Sequence, residues 1–202
     1  MKHIYIIVSQ TGTILSRLLK SITHSEYNHS SISLNQNLYP MYSFGRLNPY
    51  NPVWGGFVLE SIHHGTFRRF KNTEAIILKV PVEKSVYEAI KEQMSDMYRN
   101  RYRYTYNYLG LVLAGINVNW TQGDAFYCSE FVKDVLIRYR INGYEKLMGI
   151  VHPMQFLDLP DAEVIYTGKL RDFKYAQKTE LIKNRNDFRL AVNMAGDRRS
   201  RR

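Results

Sequence analysis

From Cys128 onward, apolar side chains recur at Phe131, Val132, Val135, Leu136 and Tyr139, the three-four spacing of a helix with one buried stripe. Such a helix is stable only against a second apolar surface. Cys128, the only cysteine of the chain, shares that inner face. Gly123 and Asp124 read as loop and cap, so the thiol falls in the first helical turn, where unpaired backbone N–H groups and the helix dipole favour an anion. That setting lowers a thiol pKa and makes a nucleophile. The structural alternative is a small buried hydrophobe, the commoner use of a lone cysteine.

The surfaces that accept the helix are expected to be strands. Residues 3 to 9 form a buried-type strand, and Ile14, Leu15, Leu18, Leu19 and Ile22 then follow at helical spacing. In Ser30 to Leu34, alternation sets Ile32 and Leu34 on one face and His29, Ser31 and Ser33 on the other. Asn35-Gln36-Asn37 is turn chemistry, and residues 38 to 46 return as the second arm of a hairpin. A turn centred on Gln36 sets Ser43 opposite His29. Residues 47 to 56, rich in Pro, Asn and Gly, read as a loop, followed by a strand at 57 to 62 that carries Glu60. A strand at 75 to 80, a helix at 83 to 99 with a Met-rich core stripe, and a buried helix within 107 to 116 complete the first part. A helical turn at 153 to 157 and a strand at 163 to 170 follow the Cys128 helix.

With 202 residues and 45% hydrophobic content, a single globular domain over residues 1 to 173 is expected, with a basic tail from 174 to 202. One cysteine excludes an internal disulfide and suits a reducing, cytoplasmic setting. No apolar run is long enough for a membrane span, and the N-terminal run reads as a strand, not a signal peptide. The formal charge is +10. The tail holds nine Lys/Arg against three Asp/Glu, a field that attracts nucleic acid, anionic lipid or a polyanionic wall alike. Alternating Arg and Tyr at 100 to 108 suits base stacking, or simply tyrosines that pack while arginines reach solvent.

A thiolate nucleophile needs a base, and the base needs an orienting group. Of the six histidines, His29 has the best context, at the start of a strand on its polar face. His63 and His64 fall in a loop, and His3, His24 and His152 lack comparable surroundings. Ser43 is the expected third member from the hairpin register, and Glu60 the alternative one strand further on. Ligand-spaced His, Cys and carboxylate motifs are missing, as are phosphate-binding glycine loops, so no metal and no cofactor is expected.

Tyr27-Asn28-His29-Ser30-Ser31-Ile32-Ser33-Leu34, followed about a hundred residues later by Phe126-Tyr127-Cys128-Ser129-Glu130-Phe131-Val132, resembles the circularly permuted papain-like amidases of the NlpC superfamily. These include YiiX-type bacterial proteins and, more distantly, the lecithin retinol acyltransferases. In this group the His strand precedes the Cys helix, the order seen here. The resemblance implies a small antiparallel, barrel-like sheet packed on the Cys helix. It implies hydrolysis or transfer at an amide or ester through a thioester, with Cys128 as nucleophile, His29 as base and the Cys128 N–H in the oxyanion hole. The substrate class it implies is a cell-wall peptide or a lipid. The alternative is a non-catalytic module that keeps the fold and binds lipid, peptide or polyanion.

Overall fold

The computed structural model describes residues 1–10, 27–48 and 51–174. The expected helix at 14 to 22, His24 and the tail beyond Lys174 lie outside them. Within them the fold is α+β. Six antiparallel strands, in the order β4-β3-β2-β1-β5-β8, form one sheet. They are β1 (Lys2–Gln10), β2 (His29–Ser33), β3 (Met41–Asn48), β4 (Asn51–Glu60), β5 (Glu74–Val82) and β8 (Glu163–Lys169). The helices are α1 (Gly65–Arg69), α2 (Lys84–Arg99), α3 (Tyr108–Gly115) and α4 (Cys128–Arg138). Short strands β6 (Thr105–Tyr106) and β7 (Ala125–Phe126) pair in parallel just before α3 and α4.

β1 is central, paired to β2 on one side and β5 on the other. Six consecutive residues of it are buried, the pattern of a strand covered on both faces. Even-numbered Ile4, Ile6 and Val8 join Ile32 and Phe44 in the larger core, where α2 contributes Ile90 and Met94 and α4 contributes Phe131, Val132 and Val135. Odd-numbered Tyr5 and Ile7 face the opposite way, onto Met41, Ile77, Phe67 of α1 and Leu170. The stripe that starts at Cys128 therefore lies on the sheet, with the helix start near β2.

Three sequence expectations need correction. The hairpin pairs Ile32 with Tyr42 and Ser33 with Met41, so the turn centres on position 37, not Gln36, and the expected register is two residues off. Position 43 thus faces position 31. Second, residues 51 to 56 are strand, not loop. Pro52 sits on an edge strand, in the irregular stretch between the Arg46–Gly55 and Asn48–Asn51 pairs, where a missing N–H breaks no ladder bond. Gly55 and Gly56 admit the chain that crosses them: a Cβ at Gly55 would lie 2.7 Å from Tyr106 Cβ, and one at Gly56 2.7 Å from the Tyr104 carbonyl oxygen. Third, α3 is not buried, since only Gly110 and Ala114 of it are.

Candidate functional site

Cys128 is the first residue of α4, as its apolar spacing implied, and is 3% exposed. The start of the helix is tied down from both sides. Glu130 Oε2 accepts from the Tyr127 N–H at 3.3 Å and from Asn107 Nδ2 at 3.4 Å, closing an N-terminal box over the first turn. Burial pushes the Glu130 carboxyl pKa up, against these hydrogen bonds. Asn107 in turn accepts from the Gly110 N–H and caps α3. Ser129 donates to the Val151 carbonyl at 2.6 Å, which fixes the loop at 149 to 153 beside the thiol.

His29 begins β2, the strand on which α4 rests, and its imidazole is held from behind. Nε2 lies 2.9 and 3.0 Å from the two Glu60 carboxylate oxygens. Ser31 donates to Glu60 Oε2. The two side chains are 13% and 11% exposed, so this is an ion pair shielded from water rather than a surface contact. Glu60 reaches His29 from β4 across the one residue of β3 without a side chain. A Cβ at Gly45 would lie 3.6 Å from Glu60 Oε1 and 3.9 Å from His29 Cε1. With Nε2 engaged by Glu60, Nδ1 is the nitrogen left for sulfur.

Electrostatics link this pair to the thiol. Burial alone would depress the His29 pKa, but the Glu60 charge and the hydrogen-bonding interactions with Cys128 and Glu60 outweigh it and raise the pKa to about 10. For Cys128, burial pushes the thiol up. The hydrogen bond and charge of His29, together with the Ser30 and Ser129 N–H groups, more than offset it, so the pKa falls below 9.0. The thiol also points at the Asn28 carbonyl, 3.7 Å away. Both shifts favour the thiolate–imidazolium form of the pair, and the two groups titrate together.

Ser43 does not orient His29. Its hydroxyl is buried, and it donates to the Ser30 carbonyl at 2.7 Å, a consequence of the register that sets it against position 31. Glu60 occupies the place considered for the third member. Of the other histidines, His63 and His64 are exposed. His3 sits at the start of β1, where burial and Lys79 lower its pKa. His152 lines the cleft at Cys128, a placement its sequence context did not suggest.

Sequence reasoning also missed Tyr106. Its phenol is within hydrogen-bonding interaction of Cys128, and burial followed by the Cys128 charge raises its pKa well above 10.0. It therefore stays a donor. Tyr106 reaches the thiol because β6 lies over Gly55, and its ring packs on Tyr108 at 4.5 Å. Tyr104 packs against Phe44 and Phe57, while Arg101 stacks on Tyr98 and Tyr102. The Arg/Tyr segment thus packs Tyr104, Tyr106 and Tyr108, while Tyr102 and Arg103 are exposed. The signal available in the sequence was the Gly55-Gly56 pair, which marks a close backbone approach.

The cleft over Cys128 is largely apolar, walled by Leu111, Ala114 and Gly115 of α3 and by Ile150 and Val151 opposite. No protein-family model matches the chain, and no curated protein sequence matches it.

Proposed function

We propose that the protein is a cysteine-dependent hydrolase or acyltransferase of the permuted papain-like kind, acting on an amide or ester through a thioester. The observation that carries this reading is the buried Glu60–His29 pair at the start of the Cys128 helix. A thiol kept only for packing needs no charged partner, and an ion pair buried at 11 to 13% exposure is a costly way to fill space.

The chemistry follows from the residues. Cys128 Sγ, as thiolate, attacks the substrate carbonyl carbon, and the oxygen takes the negative charge. Backbone N–H groups at the start of α4 and the Tyr106 hydroxyl are donors for that oxygen. As the intermediate collapses, the His29 imidazolium gives its proton to the departing nitrogen or oxygen. Water, or an acceptor alcohol or amine, then adds to the thioester while His29 takes a proton from it, and the thiolate leaves. Glu60 holds the ring orientation and stabilises the imidazolium; it transfers no proton.

The test is acylation itself. Incubation with a p-nitrophenyl ester should give a burst of nitrophenol and an acyl mass on the peptide containing Cys128. Cys128→Ser should abolish both. Acylation elsewhere, or an equal burst from the variant, would remove Cys128 as the nucleophile.

A further inference from the structure

Helix α3 is apolar on every side, yet one of its sides faces outward. Leu109, Val112 and Ile116 fall three and four residues apart and form one stripe, 56%, 53% and 67% exposed. Val118 and Trp120 extend it, at 45% and 47%. Met148, 72% exposed, stands two residues before Ile150 on the other wall of the Cys128 cleft. The inner side of the same helix, at Leu111, Ala114 and Gly115, is that cleft's first wall. One eight-residue helix therefore separates the reactive sulfur from an outward hydrocarbon surface.

A contiguous apolar surface of this kind marks an interaction site, and its chemistry selects the partner. Residues 109 to 118 include no charged side chain and a single amide, Asn117. A protein interface carries about one hydrogen bond per 100–200 Å² and a polar rim, and this stripe supplies few of the groups needed. Hydrocarbon demands none. Lys133, whose Nζ is held to the Gly149 carbonyl at 2.7 Å, and exposed Lys146 flank Met148, which favours anionic headgroups. Trp120 at the end of the stripe is the side chain that lipid–water boundaries favour. No helix among the described residues is long and apolar enough to cross a membrane; eight residues of α3 suit shallow, in-plane insertion instead.

We propose that α3, Trp120 and Met148 dock on an anionic phospholipid surface, and that the Cys128 cleft takes from it an ester or amide bearing a hydrocarbon chain. The docking stands on the exposed face alone, whereas the substrate class rests on Cys128 being the acyl-transfer nucleophile. The bond changes are those of the thioester cycle above, with the long-chain acyl group on sulfur and the headgroup alcohol or amine leaving with the His29 proton.

The experiment is cosedimentation of the full chain with vesicles of phosphatidylglycerol and phosphatidylcholine, compared with phosphatidylcholine alone. The variant replaces Leu109, Val112 and Ile116 by Gln, three exposed sites whose change leaves the core intact, with thermal unfolding as the check on folding. Wild type should bind the anionic vesicles, and the variant should bind about tenfold less or weaker. In a Trp54→Phe background, Trp120 fluorescence should shift to the blue on binding. The variant should keep hydrolysis of a soluble short-chain ester and lose hydrolysis of a long-chain ester presented in vesicles.

Absence of vesicle binding by wild type would overturn the docking. So would equal binding by the variant, which would assign attachment to other basic parts of the chain, or a dimer that the variant abolishes, which would make a second copy the occupant. Equal loss of both ester activities would overturn the substrate class. Vesicle binding without acylation of Cys128 would leave the docking in place and reject the nucleophile. Acylation by a soluble ester without vesicle binding would do the reverse.

Discussion

Glu60 presents both carboxylate oxygens to His29 Nε2, at 2.9 and 3.0 Å, from a strand two positions away in the sheet. The contact depends on Gly45 between them and on Ser31, which donates to the same carboxylate. Its effect is electrostatic as much as geometric, since Glu60 is the largest influence raising the His29 pKa against burial.

Removing that charge while keeping the shape should therefore disconnect the site. In Glu60→Gln, burial acts on His29 against the Cys128 interactions alone, its pKa falls, and the thiol pKa of Cys128 rises as the imidazolium beside it is disfavoured. Turnover should fall by roughly 10- to 100-fold, the range for a group that orients another. The check is a pH–rate profile together with the His29 ring proton shifts. An unchanged profile would mean that Glu60 acts on packing alone.

Gly45 gives a graded test of the same contact. A methyl group at this position meets Val58 Cγ2 at 3.4 Å and Glu60 Oε1 at 3.6 Å, so Gly45→Ala should fold and keep activity. Gly45→Val adds bulk between the two strands and should separate His29 from Glu60, with a folding cost of about 1–3 kcal/mol from overpacking. Urea unfolding and the His29 titration, measured on both variants, separate the two effects.

Tyr106→Phe removes one hydroxyl and keeps the ring that packs on Tyr108. Unfolding should change little. Acylation by an activated ester should slow by roughly 100-fold, the scale of losing one donor to a developing oxyanion, and the Cys128 pKa should rise. Unaltered acylation would limit Tyr106 to packing.

The paired titration also fixes how stability depends on pH. The unfolded imidazole titrates near 6.5 and the folded one near 10, so the His29 contribution is complete below 6.5 and lost as pH rises through 10. The thiol moves oppositely: lowered from 9.0 on folding, it stabilises above 9.0, and that contribution is lost as pH falls through the folded value. From the folded thiol pKa up to about 9 the two slopes cancel and stability from this site should be level, and from about 9 to about 10 it should fall. In Cys128→Ala, the level stretch should become a decline with rising pH. Urea midpoints measured across this range read the difference.

The strands β1, β2, β5 and β8 and the helix α4 were accessible from periodicity because both faces of β1 and the stripe from Phe131 to Tyr139 are set by burial. Cys128 and His29 were accessible for the same reason: each begins an element whose pattern is clear. The choice between Ser43 and Glu60 as third member was not. Its identity hangs on a turn shifted by one residue, which moves the register by two, and on β4, where Pro52, Gly55 and Gly56 imitate a loop. Those glycines are required by the chain that packs over them, a tertiary cause with no local periodicity. Exposure of α3 was equally hidden, because an apolar octamer gives the same pattern whether its neighbour is protein or something else.

Phe44 is the mechanical centre behind the site, with ring contacts to Phe57, Tyr104, Phe126 and Phe131 at 5.1 to 6.2 Å. It links β3 and β4 to the segments before and within α4. Phe44→Ala should cost about 3–5 kcal/mol in urea unfolding. A smaller loss, under about 1 kcal/mol, would mean that these rings repack around the vacancy.

The most direct test of the account is the ionisation curve of Cys128, read as thiolate ultraviolet absorbance after subtraction of the Cys128→Ser curve, in wild type and in His29→Ala. Wild type should ionise below 9.0, and His29→Ala should move the midpoint upward, because burial is then opposed only by the Ser30 and Ser129 N–H groups. Coincident curves, or a wild-type midpoint at or above 9.0, would contradict the pairing of Cys128 with His29 and with it the proposed chemistry.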